Sequence, residues 1–279
     1  MLRKIIEALV YSNLWISGGA LSMTWLFYIL VEVELNFKVL AFIFFSTWLT
    51  YTFQRYMKFY YGEKWLGPRM KWMERHHTIV KVILYISLLG TILFSIYLSL
   101  ISILLLAFLG AISFLYAYKF KLTSKRMNLR DVPGIKIFLI GLVWALSCAI
   151  IPAIEENMFN AQVVMISWGY LFFIIGITIP FDIRDIDYDE VHKKTIPQVL
   201  GTQNAKIVAS ILVIISYVLI NFPEYNRWPL GVGLTLAVYL VLMSNKKRDE
   251  LFYSFLMDGL LIMIPVIYFV LSRPYFIAN

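Results

Sequence analysis

Nine apolar stretches follow one another along the 279 residues, at 12–31, 36–59, 79–98, 101–118, 134–154, 161–180, 205–220, 228–243 and 251–271. Most approach the length of about 20 residues that a helix needs to cross the hydrocarbon of a bilayer. Charged residues make up 15% of the chain, against about 25% in a soluble globular protein. The expectation is therefore an all-α polytopic membrane protein of nine transmembrane helices, forming one domain over 1–279. The opening MLRKIIEALVYSNLW has basic residues before an apolar run but no small-residue cleavage site, so it reads as a retained first helix.

The loops set the orientation. With the N-terminus in the cytoplasm, 22 of the 25 basic residues fall on the cytoplasmic side. Lys38, Arg227 and Arg273 alone lie outside, beside Glu32, Glu34, Glu155, Glu156 and Glu224. This is the positive-inside distribution. It predicts a protein of the cell (inner or plasma) membrane with its N-terminus cytoplasmic and its C-terminus outside. The net charge of +8 then belongs to topology and lipid head groups, and no nucleic-acid motif accompanies it. The two longest loops are both cytoplasmic and four helices apart, which suggests two four-helix halves, about 12–118 and 134–243, and a final helix at 251–271. Cys148 is the only cysteine. It lies in an apolar run and reads as a buried structural thiol.

One stretch breaks this apolar pattern. Phe181 to Gly201, FDIRDIDYDEVHKKTIPQVLG, holds five of the 17 acidic residues. In helical conformation Asp182, Asp185 and Asp189 fall on one face within roughly 60° of each other, and Asp187 points away. Three carboxylates on one face repel each other unless a cation sits among them, and oxygen-only ligands suit Mg2+ or Ca2+. The competing reading is a solvated loop, or a short helix that Pro180 starts, whose first turn welcomes Asp at the positive end of the dipole. Lys193 and Lys194 either add charge for a phosphate or partner the nearby Asp residues. Pro197 and Gly201 mark a turn.

DIRDIDYDEVHKKTIPQVLG resembles the second aspartate-rich motif of the UbiA superfamily of intramembrane prenyltransferases, D-x-x-D-x-x-x-D followed by Lys, Thr or Ser, a Pro-containing pair and Leu-Gly. The nine runs, the long cytoplasmic loops after the second and sixth, and the chain length resemble that family too. The resemblance implies a helical bundle around a central cavity. It also implies transfer of a polyprenyl group from its diphosphate to a hydrophobic, usually aromatic, acceptor, with Mg2+ bridging carboxylates and pyrophosphate. Asp182, Asp185 and Asp189 would be the metal ligands. YAYKFKLTSKRMNLRDVPGIKIFLIGLVW, from Tyr116 to Trp144, is similar to the family's fourth-helix exit. It implies roles at the pyrophosphate for Tyr116, Lys119 and Lys121, and for Arg130, unless these bases serve only lipid head groups.

The family's first motif, N-x-x-x-D-x-x-x-D on the second helix, is absent. No acid occurs between Glu34 and Glu63, and the resemblance sets Thr52 against the Asn and Tyr56 and Tyr60 against the two Asp residues. Two explanations compete. In one, Arg55, with Gln54 and Lys58, meets the diphosphate directly, because a guanidinium binds phosphate oxygens bidentately and keeps its proton. In the other, prenyl transfer has been lost and the protein binds a lipid or isoprenoid without reacting it. Asp258 lies inside the last apolar run, so it should face the bundle, either as a structural partner or at the acceptor. Asn13 is a candidate polar wall residue of the cavity. The prediction is a site of Arg55, Tyr116 and Asp185 at the chemistry, Lys119, Lys121, Arg130 and Lys193 on pyrophosphate, and Asn13, Thr52, Gln54 and Asp258 beside the substrates.

Overall fold

The computed structural model describes residues 1–60, 67–118, 120–121, 126–127, 132, 134–188, 194–222 and 227–276. Among them are eleven helices and one two-stranded ribbon. An outer helix α1 (Leu2–Tyr11) precedes α2 (Leu14–Val31) and α3 (Phe37–Tyr60). A short α4 (Pro68–Arg75) leads into α5 (His77–Ser95) and α6 (Leu100–Ala117). Strands β1 (Phe120–Lys121) and β2 (Arg126–Met127) pair antiparallel, with Phe120 opposite Met127. Then come α7 (Ile135–Glu155), α8 (Ala161–Arg184), α9 (Ile196–Ile220), α10 (Trp228–Met243) and α11 (Asp258–Phe276), the last entered through a π-helical turn at Phe252–Met257.

Each of the nine apolar runs carries a helix. Six are long and apolar enough to cross a membrane: α2, α5, α7, α8, α9 and the segment Phe252–Ser272. Among the others, α6 and α10 are shorter, and α3 carries Lys38, Arg55 and Lys58 within its apolar length.

Helix boundaries follow local chemistry. The Ser99 hydroxyl accepts from the Ser102 amide (3.3 Å) at the start of α6, and Asn160 Oδ1 accepts from the Val163 amide (3.0 Å) at the start of α8. Both satisfy an amide that has no intrahelical partner. Within α7, the π-helical turn Leu146–Ile150 ends two residues before Pro152. A proline cannot donate back along the helix, and a wider turn is one way of absorbing that loss. Gly201, at φ +77°, ψ 161°, is the one non-helical residue in α9, so the turn expected at Pro197 and Gly201 is a kink inside a helix.

The helices close into a ring. α2 packs on α3, α3 on α5 and α6, the start of α6 on the end of α7, and then α7 on α8, α8 on α9, α9 on α10, α10 on α11 and α11 back on α2. The tightest seam is α8 against α9, where Gly169 and Gly176 bring backbones together: a Cβ at Gly176 would stand 3.0 Å from the Ala209 carbonyl oxygen. Such small-residue contacts are how helices associate where no hydrophobic force separates protein from lipid. α5 turns Ile79, Val82, Tyr85, Ile86, Leu89, Ile92 and Leu93 outward, all exposed, a surface suited to acyl chains and not to water. At the opposite end of the ring from the acidic stretch, buried Arg227 donates to the carbonyls of Ile220 (2.7 Å) and Leu30 (2.8 Å), satisfying helix C-termini with a cation.

Candidate functional site

The helix expected to carry three aspartates on one face stops short. α8 runs through Pro180, which lies inside it and starts no helix, and ends at Arg184; Asp185 takes the C-cap position at φ −89°, ψ 3°. Residues 185–188 form turns, so the helical i, i+3, i+7 face does not extend past Asp185. Each described acid of the stretch is held by a different base. Asp182, 1% exposed, accepts from Lys136 Nζ, which reaches across from the first turn of α7. Asp185 accepts from both edges of Arg184, Nε to Oδ1 at 2.7 Å and Nη2 to Oδ2 at 2.9 Å. The same guanidinium lies 5.3 Å from the ring centroids of Phe181 and Tyr253. Asp187 meets Lys246 at 3.0 Å on the surface. Asp189 and Lys193 lie outside the described residues.

A second group forms where α2 meets α3. Asn13 sits between α1 and α2 at φ +67°, in the left-handed region that asparagine tolerates better than most residues. Its Oδ1 accepts from Arg55 Nη1, and its Nδ2 donates to Thr52 Oγ1 at 3.0 Å. Arg55 lies 5.8 Å from the Tyr51 ring centroid, and the Tyr51 hydroxyl accepts from Trp144 Nε1 at 3.1 Å. Asn13, Thr52 and Arg55, singled out separately from the sequence, thus form one hydrogen-bonded unit. Among the described residues Arg55 is anchored by an amide, not by an acid of the 181–201 stretch. Gln54 and Tyr116 are half-buried on α3 and α6, and Lys121 stands on β1. Lys119 and Arg130 lie outside the described residues.

Three residues that sequence reasoning missed join these groups. Arg69, on α4, pairs with Glu250, just before the last helical segment, at 3.3 Å, and lies 5.5 Å from the Tyr11 ring centroid. Arg69 Nη2 and Glu250 Oε2 are both buried with no hydrogen-bond partner among the described residues. Burial pushes the Arg69 pKa down against the pull of Glu250. The Tyr11 phenol is raised to about 12, by burial first and the Glu250 charge second. Asp258, in the last helix, lies within electrostatic reach of Arg69, Arg55 and Arg184, most strongly of Arg69. Lys136, the third, reads in the sequence only as one of the 22 basic residues on the cytoplasmic side, and no spacing pattern links it to Asp182.

The sequence model described as the UbiA prenyltransferase family matches residues 74–269. The chain belongs to this family. Its structure is similar to the apo structure of a UbiA homolog from Aeropyrum pernix K1, with a TM-score of 0.63 and 13% identity over 91% of this chain and 95% of that one. It is also similar to a structure described as digeranylgeranylglyceryl phosphate synthase in membranes, with a TM-score of 0.58 and 16% identity over 97% and 98% of the two chains. At these identities the likeness concerns the fold. No curated protein matches the sequence. The UbiA match and the apolar helices together make this an integral membrane protein of prenyltransferase type. The match takes in Lys136, Asp182, Asp185 and Asp258 but begins at residue 74. It leaves out the helix where the first aspartate motif is absent and Arg55 stands.

UbiA prenyltransferases generally use divalent metal ions, and the donor set here can be tested against one. Among the described residues no three His, Cys, Asp or Glu side chains group closely enough to hold an ion. An ion at Asp182 would have to displace Lys136, and an ion at Asp185 would have to displace a bidentate arginine. The described residues do not fit the metal as they stand.

Proposed function

We propose that the protein binds a polyprenyl diphosphate at the cytoplasmic end of the bundle and transfers the prenyl group to a hydrophobic, aromatic acceptor. The observation that carries this reading is a set of half-buried arginines in a UbiA-family chain: Arg55, Arg69 and Arg184, on three different helices, lie within electrostatic reach of one acid, Asp258. Fixed guanidinium groups in a water-poor site stabilise charge as it develops, because they need no reorganisation when the reaction occurs. The allylic C–O bond breaks, both its electrons leave with the pyrophosphate, and the resulting allylic cation bonds to the acceptor, which then loses a proton. Arg55, with Lys119, Lys121, Arg130 and Lys193, takes up the pyrophosphate charge. Tyr116 and Asp185 stand at the reacting end. Asn13, Thr52 and Gln54 line the substrate wall, and Asp258 faces the acceptor.

The finer expectations belong to the same proposal: nine spans enclosing a central cavity, two four-helix halves, and a cytoplasmic N-terminus. Mg2+ on Asp182, Asp185 and Asp189 is the sequence-based expectation; given the present partners of Asp182 and Asp185, no step here runs through the ion. A second reading, binding of an isoprenoid or lipid without transfer, is favoured by the absence of any acid between Glu34 and Glu63. Incubating the purified protein with labelled polyprenyl diphosphates and a panel of aromatic acceptors, with and without Mg2+, separates the two. A prenylated product supports transfer; diphosphate binding with no product over all acceptors supports the second reading.

A further inference from the structure

Beside the Asp182–Lys136 pair lies a cavity of about 30 Å³, bounded by Gly134, Lys136, Asp182, Lys194 and Thr195. Its chemistry is that of an anion site. Among the described residues, its walls carry two lysines and one carboxylate. Two helices also begin at its wall: α7, after Gly134 at φ +72°, and α9, after Thr195. Neither has an acidic residue in its first turn. At α9 the Thr195 amide donates to Gln198 Oε1 (3.0 Å) in a capping box, whereas α7 has no side-chain cap, so it is the amides and positive dipole end of α7 that remain available to an anion. Lys136 stands in the first turn of α7, against the dipole, where a cation is disfavoured by about 0.3–1 kcal/mol. A local rule broken in this way marks functional positions. The Thr195 hydroxyl, on a residue 7% exposed, faces the Gln198 amide in a capping-box arrangement but makes no hydrogen bond of normal geometry among the described residues. A volume near that of one water admits a single phosphate oxygen. It does not admit a Mg2+ ion with its octahedral oxygen shell.

We propose that this cavity takes an oxygen of the prenyl diphosphate directly, through Lys136, Lys194, the Thr195 hydroxyl and the N-terminus of α7, with no divalent cation at Asp182. Asp182 then holds the Lys136 ammonium in place as a positioning residue. This rests on the prenyl-diphosphate reading above, and it reverses the role that the family resemblance gives Asp182.

The test is binding of geranylgeranyl diphosphate to the full-length protein in detergent, measured by titration calorimetry in EDTA and again in Mg2+. The expected result is the same affinity in both. Lys194→Met, at an exposed position where folding is not at risk, and Thr195→Val each weaken binding in EDTA, by about tenfold for the charged contact. Lys136→Arg retains it. Inorganic pyrophosphate competes in EDTA, whereas phosphatidic acid vesicles do not. Affinity that disappears in EDTA and returns with Mg2+ overturns the proposal while leaving the prenyl-diphosphate reading intact. So do Lys194→Met and Thr195→Val variants that bind like the wild type, and so does competition by phosphatidic acid instead of pyrophosphate, which would reassign the cavity to a lipid head group. No binding in either condition rejects the prenyl-diphosphate reading itself, and this proposal with it.

Discussion

Lys136, in the first turn of α7, donates its ammonium to the buried carboxylate of Asp182 near the end of α8. The two side chains are 13% and 2% exposed, so removing either leaves a charge with little water to replace its partner. Such losses cost about 3–5 kcal/mol, whereas replacing both members by apolar groups is often neutral. Lys136→Met should therefore lower the thermal midpoint of the detergent-solubilised protein strongly, and Lys136→Met combined with Asp182→Leu should recover most of it. Equal losses in the single and double variants would mean that the pair is not what holds α7 to α8.

This pair also shows where sequence reasoning stops. Apolar runs give the helices because a 20-residue apolar segment has few alternatives in a membrane, and the acidic stretch stands out because acids are rare here. Asn13, Thr52 and Arg55 were legible for the same reason: polar groups in apolar helices must find one another. The register across 46 residues that sets Lys136 on Asp182 is not encoded in any local spacing. Arg69 and Glu250 are further apart still, and both read as loop charges until the ring closes and buries them. The stop of α8 at Arg184 was hidden because DIRDIDYD continues the helical pattern of acids past the point where the backbone leaves the helix.

Asn13 holds Arg55 from a left-handed backbone position. Alanine there would lose the hydrogen bond to the guanidinium, worth about 1.5–3 kcal/mol, and would add about 1–2 kcal/mol of backbone strain. Glycine would lose only the first. Stability should therefore fall further for Asn13→Ala than for Asn13→Gly, while the two weaken prenyl diphosphate binding alike. If the glycine variant bound like the wild type, Asn13 would have no part in positioning Arg55.

The Arg69–Glu250 pair ties α4 to the start of the last helical segment, with side chains 16% and 10% exposed. Glu250→Gln should destabilise the protein by about 3 kcal/mol, since it leaves a buried guanidinium unpaired. Tyr11 packs on that guanidinium and titrates near 12 in place of its ordinary 10.0. Its raised value favours the neutral phenol of the folded state. That contribution is fully present below about pH 10 and is lost as pH rises through about 12. Unfolding followed between pH 9 and 12 should show this loss in the wild type and a smaller one in Tyr11→Phe.

At the α8–α9 seam, a methyl group added to Gly176 meets the Ala209 carbonyl oxygen at 3.0 Å and Val213 Cγ2 at 3.0 Å. Backbone cannot move aside as a flexible side chain can, so Gly176→Ala should cost about 1–3 kcal/mol. Gly110→Ala, with nothing within 4 Å of its added Cβ, is the control and should leave the thermal midpoint nearly unchanged. Two equal midpoints would mean that the seam is looser than it stands here.

Span number and orientation are decided by one pair of positions. Lys38 is the second residue of α3, at its outer end if all nine cross, and Lys247 follows α10. If all nine long helices cross the membrane, seven spans separate these lysines and they lie on opposite sides. If only the six that are long and apolar enough do so, the spans between them are α5, α7, α8 and α9, and both lie on the same side. The sole native cysteine, Cys148, is 1% exposed, so it contributes little background to thiol labelling. With an impermeant maleimide, Lys38→Cys should react in intact cells and Lys247→Cys only after permeabilisation, as the excess of basic residues on the cytoplasmic side requires. Labelling of both in intact cells, or of neither, would reduce the span count and move the site's loops relative to the membrane; labelling of Lys247→Cys alone would invert the protein.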